Sequence, residues 1–225
     1  MAGRWEDAGV VRGFSTAAPN EVLLAFVRTE LAREPGLRVL DLGCGAARNA
    51  APMAAEGATV IGIDVAPPML EAARGRVANA GLHRRVDLLR APMDRLPVRD
   101  ASVDLVVAHG VWNLASSAAE LRRAIAEAAR VARPGAGLFV FTFSRATLRP
   151  EDEPVPGETF VFTQFAGEPQ CFLTEEELVE ELLRAGFEKD PAGPLTEYNR
   201  PVPGPTLTRG GPVIYEGTFR AVRRL

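Results

Sequence analysis

Val22, Leu23, Phe26, Val27 and Leu31 recur at helical spacing, and Asn20 stands where such a helix needs a cap. The spacing predicts a helix over residues 20–34, closed by Pro35 and Gly36. Beyond it, short apolar runs alternate with helical patterns. Strands are expected over 37–42, 58–63, 86–89, 103–108 and 137–143, and helices over 48–56, 68–80 and 118–132. Pro52 is tolerable only in the first turns of its helix. Strands this apolar need cover on both faces, so the pattern predicts an α/β fold with a doubly wound, mostly parallel sheet and right-handed crossovers.

After Phe143 the alternation stops. Residues 144–172 are rich in Pro, Gly and Phe, and a patternless stretch of that length is expected to be a functional loop or lid. Thr174 then caps a helix over 174–183, with Glu177 placed for a capping box and Gly186 as terminator. A strand from Phe187 and another over 213–222 would add an antiparallel pair at the sheet edge. The chain reads as one domain. Residues 1–36 form an N-terminal segment and helix expected to act as a lid, 37–143 a ligand-binding core, 144–172 the loop, and 173–225 a C-terminal helix with edge strands.

Composition adds exclusions. Net charge is -3 with no basic run, so nucleic acid is not an expected partner. No apolar run reaches the roughly 18 residues that span a bilayer, and residues 1–7 lack a signal core, so no membrane partner is expected. Two cysteines make no disulfide framework, and the expected setting is the reducing cytoplasm. No cluster has metal-ligand spacing, so no metal is expected.

The candidate chemistry sits in Asp41-Leu42-Gly43-Cys44-Gly45-Ala46-Ala47-Arg48, where the first strand ends and a helix begins. Ligands of open α/β sheets bind beyond the carboxyl ends of strands. Gly43 and Gly45 let backbone turn tightly and approach a ligand, and helix N–H groups point to the same place. A dinucleotide fingerprint needs a third Gly where Arg48 stands. Asp41 suits a ligand with a positive group. Asp64, at the end of the second strand, can accept hydrogen bonds from ribose hydroxyls, which both nucleoside and dinucleotide ligands offer.

Four segments then carry a resemblance. Val39-Leu40-Asp41-Leu42-Gly43-Cys44-Gly45, Val60-Ile61-Gly62-Ile63-Asp64-Val65-Ala66-Pro67-Pro68-Met69-Leu70, Leu96-Pro97 with Ala101-Ser102-Val103-Asp104-Leu105-Val106-Val107, and Ala129-Arg130-Val131-Ala132-Arg133-Pro134-Gly135-Ala136-Gly137 come in the order of the motifs they resemble. Those motifs belong to class I S-adenosylmethionine-dependent methyltransferases. The resemblance implies a seven-stranded sheet of order 3-2-1-4-5-7-6 with strand 7 antiparallel. It implies S-adenosylmethionine as methyl donor and S-adenosylhomocysteine as product. Asp41 would lie near the methionine ammonium, Gly43, Cys44 and Gly45 around the methionine moiety, Asp64 on the ribose, and Val65 and Met69 beside the adenine. The family's third loop glycine is Ala47 here. Its acidic adenine contact is replaced by Pro92, leaving Met93 backbone or Asp94 for that part.

Other residues keep two readings. His109 is a general-base candidate or a cofactor contact. Arg48 pairs with the methionine carboxylate or is a surface residue. Cys44 is a small packing residue or a thiol activated at a helix N-terminus. Trp5, Phe14, Trp112 and Asn113 are substrate-pocket candidates. Phe160, Phe162, Phe165 and Phe172 line that pocket or anchor their loop. The expected function is metal-free, in-line methyl transfer to a small molecule. A dinucleotide-dependent oxidoreductase and a non-catalytic S-adenosylmethionine-binding protein are the alternatives.

Overall fold

A computed structural model describes residues 5–200 and 211–222. A short helix, α1 (Ala8–Thr16), precedes the expected one, α2 (Glu21–Arg33). Asp7 caps α1 by accepting from the N–H groups of Gly9 and Val10. Gly9 and Gly13 lower the helix propensity of this segment, so periodicity alone misses it. Strands and helices then alternate as β1 (Arg38–Leu42), α3 (Ala50–Ala55), β2 (Thr59–Asp64), α4 (Pro67–Asn79), β3 (Val86–Arg90), β4 (Val103–His109), α5 (Ala118–Val131) and β5 (Ala132–Phe143).

The strand order is β3-β2-β1-β4-β5-β10-β8, where β8 is Phe187–Lys189 and β10 is Ile214–Ala221. β1 to β5 pair in parallel, and β10 lies antiparallel to both β5 and β8. This is the expected 3-2-1-4-5-7-6 arrangement. One three-residue strand, β9 (Thr196–Tyr198), also pairs with β10, so the sheet has eight strands rather than seven. Three residues are too few to show a period.

Both sheet faces are dry. Leu40, Leu42, Val106 and Leu138 pack under α5 and α6 (Glu175–Ala185), while Val39, Leu105, Val107 and Phe139 pack under α2, α3 and α4. Alternate side chains of each strand thus enter opposite cores, which is why the strands read as continuous apolar runs. α6 carries the expected capping box between Thr174 and Glu177 and ends on Gly186 at φ +94°. No helix among the described residues is long and apolar enough to cross a membrane.

Two expectations need correction. β5 begins at Ala132, not Gly137: Ala132 pairs with Val103, the register shifts, and Gly137 pairs with Leu105. The Pro134-Gly135 signal marks this irregularity, with Gly135 at φ +85°, rather than a turn before the strand. Residues 144–172 are not patternless either. They hold an antiparallel pair, β6 (Val161–Phe162) and β7 (Gln170–Cys171). Phe160, Phe162 and Phe172 are buried in the core and anchor the segment; only Phe165 of the four lines the cleft described below.

The N-terminal helix and the last strand are joined by charge. Arg220 on β10 donates to both carboxylate oxygens of Glu30 on α2, at 2.5 and 2.6 Å, and to Asp190 at 2.7 Å. Both acids are buried, so removing the guanidinium leaves two carboxylates desolvated, with Arg33 still held by Glu30. Arg220→Ala is therefore expected to cost about 2–3 kcal/mol of stability, read from the urea midpoint at constant slope. A loss below about 0.5 kcal/mol would show the network to be dispensable.

Candidate functional site

A cleft of about 950 Å³ opens at the carboxyl ends of β1, β2 and β4. Its floor is the turn after β1. Gly43 (φ +64°) and Gly45 (φ +53°) adopt the left-handed conformation, and a Cβ on Gly43 would stand 2.7 Å from a methyl of Val111. Ala47 takes the same conformation at φ +56°, so this chain carries an alanine in a glycine-favoured backbone. The N–H of Cys44 bonds the Ile63 carbonyl at 3.0 Å, tying the turn to β2.

Two carboxylates flank the turn in opposite states. Asp64 accepts from the Gly45 N–H at 2.9 Å and the Ala66 N–H at 2.8 Å, one bond to each oxygen. Its orientation is thereby set at the cleft wall. Asp41 is buried, and its Oδ2 has no hydrogen-bond partner among the described residues. Burial pushes its carboxyl up to about 7; nearby Arg48 opposes the rise and Asp64 adds to it. A buried acceptor left unpaired is costly, and this one lines a cavity.

Arg48 is the complementary group. It has no ion-pair partner among the described residues, and burial lowers its pKa. Its guanidinium meets His109 Nδ1 at 3.2 Å. Asn20 Oδ1 accepts the N–H of Leu23, so Asn20 Nδ2 is the donor that reaches Glu216 Oε2 at 2.6 Å and His109 Nε2 at 3.0 Å. Donors thus face both ring nitrogens of His109, and the Arg48 guanidinium keeps further N–H groups that suit an anionic ligand oxygen. Burial, followed by Arg48, pushes the imidazole down to about 4, and the ring stacks on Phe141 at 4.2 Å. A ring this weakly basic, with Nε2 already engaged, is not poised as the general base that His109 suggests in the sequence.

The remaining candidates divide. Val65 and Met69 line the cleft beside Asp64, and Met93 lines it with Ala91 and Pro92. Asp94 does not line it; Arg123 holds its carboxylate at 3.0 Å. Trp5 and Phe14 line the cleft and pack edge to face at 5.6 Å. α1 thus lies over the glycine turn, and a Cβ on Gly45 would meet Phe14 and Met69 at 3.8 and 3.9 Å. Trp112 is core, buried under α5 rather than in the cleft wall, whereas its neighbour Asn113 lines it. Burial, with Asp41 and Asp64, pushes the Cys44 thiol up, which removes the activated-thiol reading. Asn20, Phe141, Phe143 and Gln170 also line the cleft. Asn20 was legible only as a cap; Gln170 carried no sequence signal. Among the described residues no group of three or more His, Cys, Asp or Glu side chains is placed to hold a metal.

Comparison with known proteins places this cleft in a family. Residues 40–141 match the model of a methyltransferase domain. The chain is 35% identical over 159 residues to a demethylmenaquinone methyltransferase of Parafrankia sp. (strain EAN1pec), covering 64% of this chain but only 58% of that protein's length. It is 31% identical over 208 residues to the 27-O-demethylrifamycin SV methyltransferase of Amycolatopsis mediterranei (strain S699), covering 88% of this chain and 70% of that one. The fold resembles an S-adenosylmethionine-dependent methyltransferase from Mesorhizobium loti with a TM-score of 0.67 at 20% identity, over 92% of this chain and 100% of that one. These matches, and the motifs running from Val39 to Gly137 in one sheet, show that the chain belongs to the class I S-adenosylmethionine-dependent methyltransferases.

Proposed function

We propose that this protein binds S-adenosylmethionine in the cleft and transfers its methyl group to a small molecule without a metal. The observation that carries the reading is a buried Asp41 carboxyl whose Oδ2 has no partner, set against an Arg48 guanidinium with no ion pair among the described residues, on either side of the glycine turn. A zwitterionic amino-acid moiety satisfies both, its ammonium at Asp41 and its carboxylate at Arg48. Asp64, held by two backbone N–H groups, fits ribose hydroxyls, and Val65, Met69 and Met93 fit the adenine. A dinucleotide offers no ammonium for Asp41, which weighs with Arg48 against the oxidoreductase alternative. The names of the two relatives above, both of small-molecule methylation, support the acceptor class.

When bound, S-adenosylmethionine supplies a methyl group already made electrophilic by its sulfonium. The protein's residues then have to position and to exclude water. In-line transfer needs the acceptor atom about 3 Å from the methyl carbon, in a dry cleft. Trp5, Phe14, Phe141 and Phe143 provide apolar walls for that purpose. His109 acts as a positioning residue beside Arg48. The two buried, unpaired thiols, Cys44 and Cys171, suit a reducing cytoplasm.

The reading is tested by calorimetric binding of S-adenosylhomocysteine to the full chain and by transfer of labelled methyl from S-adenosylmethionine to a panel of phenols and hydroxyquinones. Binding with label transfer is expected. Folded protein that binds nothing overturns the proposal; binding without transfer to any acceptor favours the non-catalytic alternative. Added chelator should leave turnover unchanged. The Asp41 carboxyl gives a pH signature. Below about 7 it carries a proton that the ligand ammonium must displace, so affinity should tighten as pH rises through about 7 and level off above. Asp41→Asn should bind more weakly and lose that dependence; an unchanged pH profile would remove Asp41 from the ammonium site. His109→Gln should weaken S-adenosylhomocysteine binding by roughly three- to tenfold with kcat changed little. A kcat loss above about a hundredfold with binding intact would restore the general-base role.

A further inference from the structure

The cleft has a second polar feature, away from Asp41 and Asp64. Asn113 lies in the 3-10 turn after β4 and Gln170 on β7. The two elements pack together, and the Cys171 thiol donates to the Ala115 carbonyl at 3.4 Å between them. Both residues line the cleft, with only 2% and 4% of each exposed. Their oxygens, Asn113 Oδ1 and Gln170 Oε1, have no hydrogen-bond partner among the described residues. Each unmet acceptor costs about 1–3 kcal/mol, which a donor brought by a ligand recovers.

Their surroundings narrow that ligand. Phe143 and Phe165 meet edge to face at 5.4 Å beside them, and Leu114 adds an apolar wall. Among the described residues, Glu120 is the charged side chain that lines this part, and its Oε2 already accepts from the backbone N–H and hydroxyl of Ser116. The cations among the described lining residues lie elsewhere: Arg48 interacts with Asp41, and Arg90 donates to the Val65 carbonyl at 3.1 Å. A carboxylate or phosphate here would face Glu120 with no cation among the described residues to pair it.

We propose that Asn113 and Gln170 form the acceptor-recognition pair of this enzyme, selecting a neutral, planar aromatic molecule through an O–H or N–H donor. The proposal rests on the methyltransferase reading and deepens it. The ring lies among the phenylalanines, and the donor supplies a hydrogen bond that one carboxamide oxygen takes or the two share. A molecule without a donor leaves both oxygens unpaired and is rejected for that reason.

The test is calorimetric titration of the full chain, with and without saturating S-adenosylhomocysteine, using four probes: 2-naphthol, indole, 2-methoxynaphthalene and 2-naphthoate. Naphthol, indole or both should bind, and whichever binds identifies the O–H or N–H arm. Methoxynaphthalene and naphthoate should bind at least about tenfold more weakly. Asn113→Leu and Gln170→Leu should each weaken the donor probe about tenfold and abolish its advantage over methoxynaphthalene, with S-adenosylhomocysteine affinity kept within about twofold. Equal binding of naphthol and its methyl ether by the unmodified protein overturns the proposal, as does failure of both donor probes; neither result depends on a variant folding. Failure of S-adenosylhomocysteine to bind, with the probe series as expected, overturns the cofactor reading and leaves the recognition pair standing.

Discussion

The carboxyl of Asp41, buried at the end of β1 with one oxygen unpartnered, is the constraint around which the cleft is organised. A parallel sheet covered on both faces leaves little water at its strand ends, so an acid there is costly until it gains a cation. Arg48 lowers that cost from nearby without forming an ion pair, and Asp41 in turn favours the charged guanidinium against its burial. The protein thus holds an acid and a cation of opposite sign close together without a direct pair. A ligand with one charge would satisfy only half the arrangement.

The same region holds the ends of the chain together. Asn20 uses one carboxamide to cap α2, to meet His109 on β4 and to bond Glu216 on β10, while its backbone N–H donates to Asn49 Oδ1 beside the glycine turn. Arg220, farther along β10, clamps Glu30 of α2. α2 is therefore bonded to β10 at two points, one of them at the cleft. A local helix cap thus also contacts the ring that Arg48 meets in the cleft.

Legibility followed chemistry that is local in sequence. Asp41, Gly43, Gly45 and Asp64 were readable because strand, turn and helix start are contiguous, and the apolar strands announced a parallel sheet. α1 escaped because two glycines dilute its pattern, and β9 because three residues have no period. Asp94 and Trp112 were misplaced for a different reason. Each had the right neighbours in sequence, but Arg123 captured the first and the apolar core under α5 the second. His109 was found by position, yet its role depends on Asn20 and Arg48, which lie 89 and 61 residues away and meet it only in the folded chain.

The two halves of the cleft are built under different rules, and this bears on how such a protein acquires its specificity. The part proposed to hold the nucleoside and amino acid is made of backbone turns and strand ends, where a substitution strains the fold: a side chain on Gly43 collides with Val111. The part holding Asn113, Gln170 and Phe165 comes from a short turn and a small hairpin anchored by Phe160, Phe162 and Phe172. The anchors face the core and the recognition groups face the cleft, so the latter can change without unseating the former. A carboxamide exchanged for another small polar or apolar group there alters which donor is welcome and leaves Asp41, Arg48 and Asp64 in place. Acceptor choice can therefore drift on a scaffold whose cofactor geometry is held by the sheet itself.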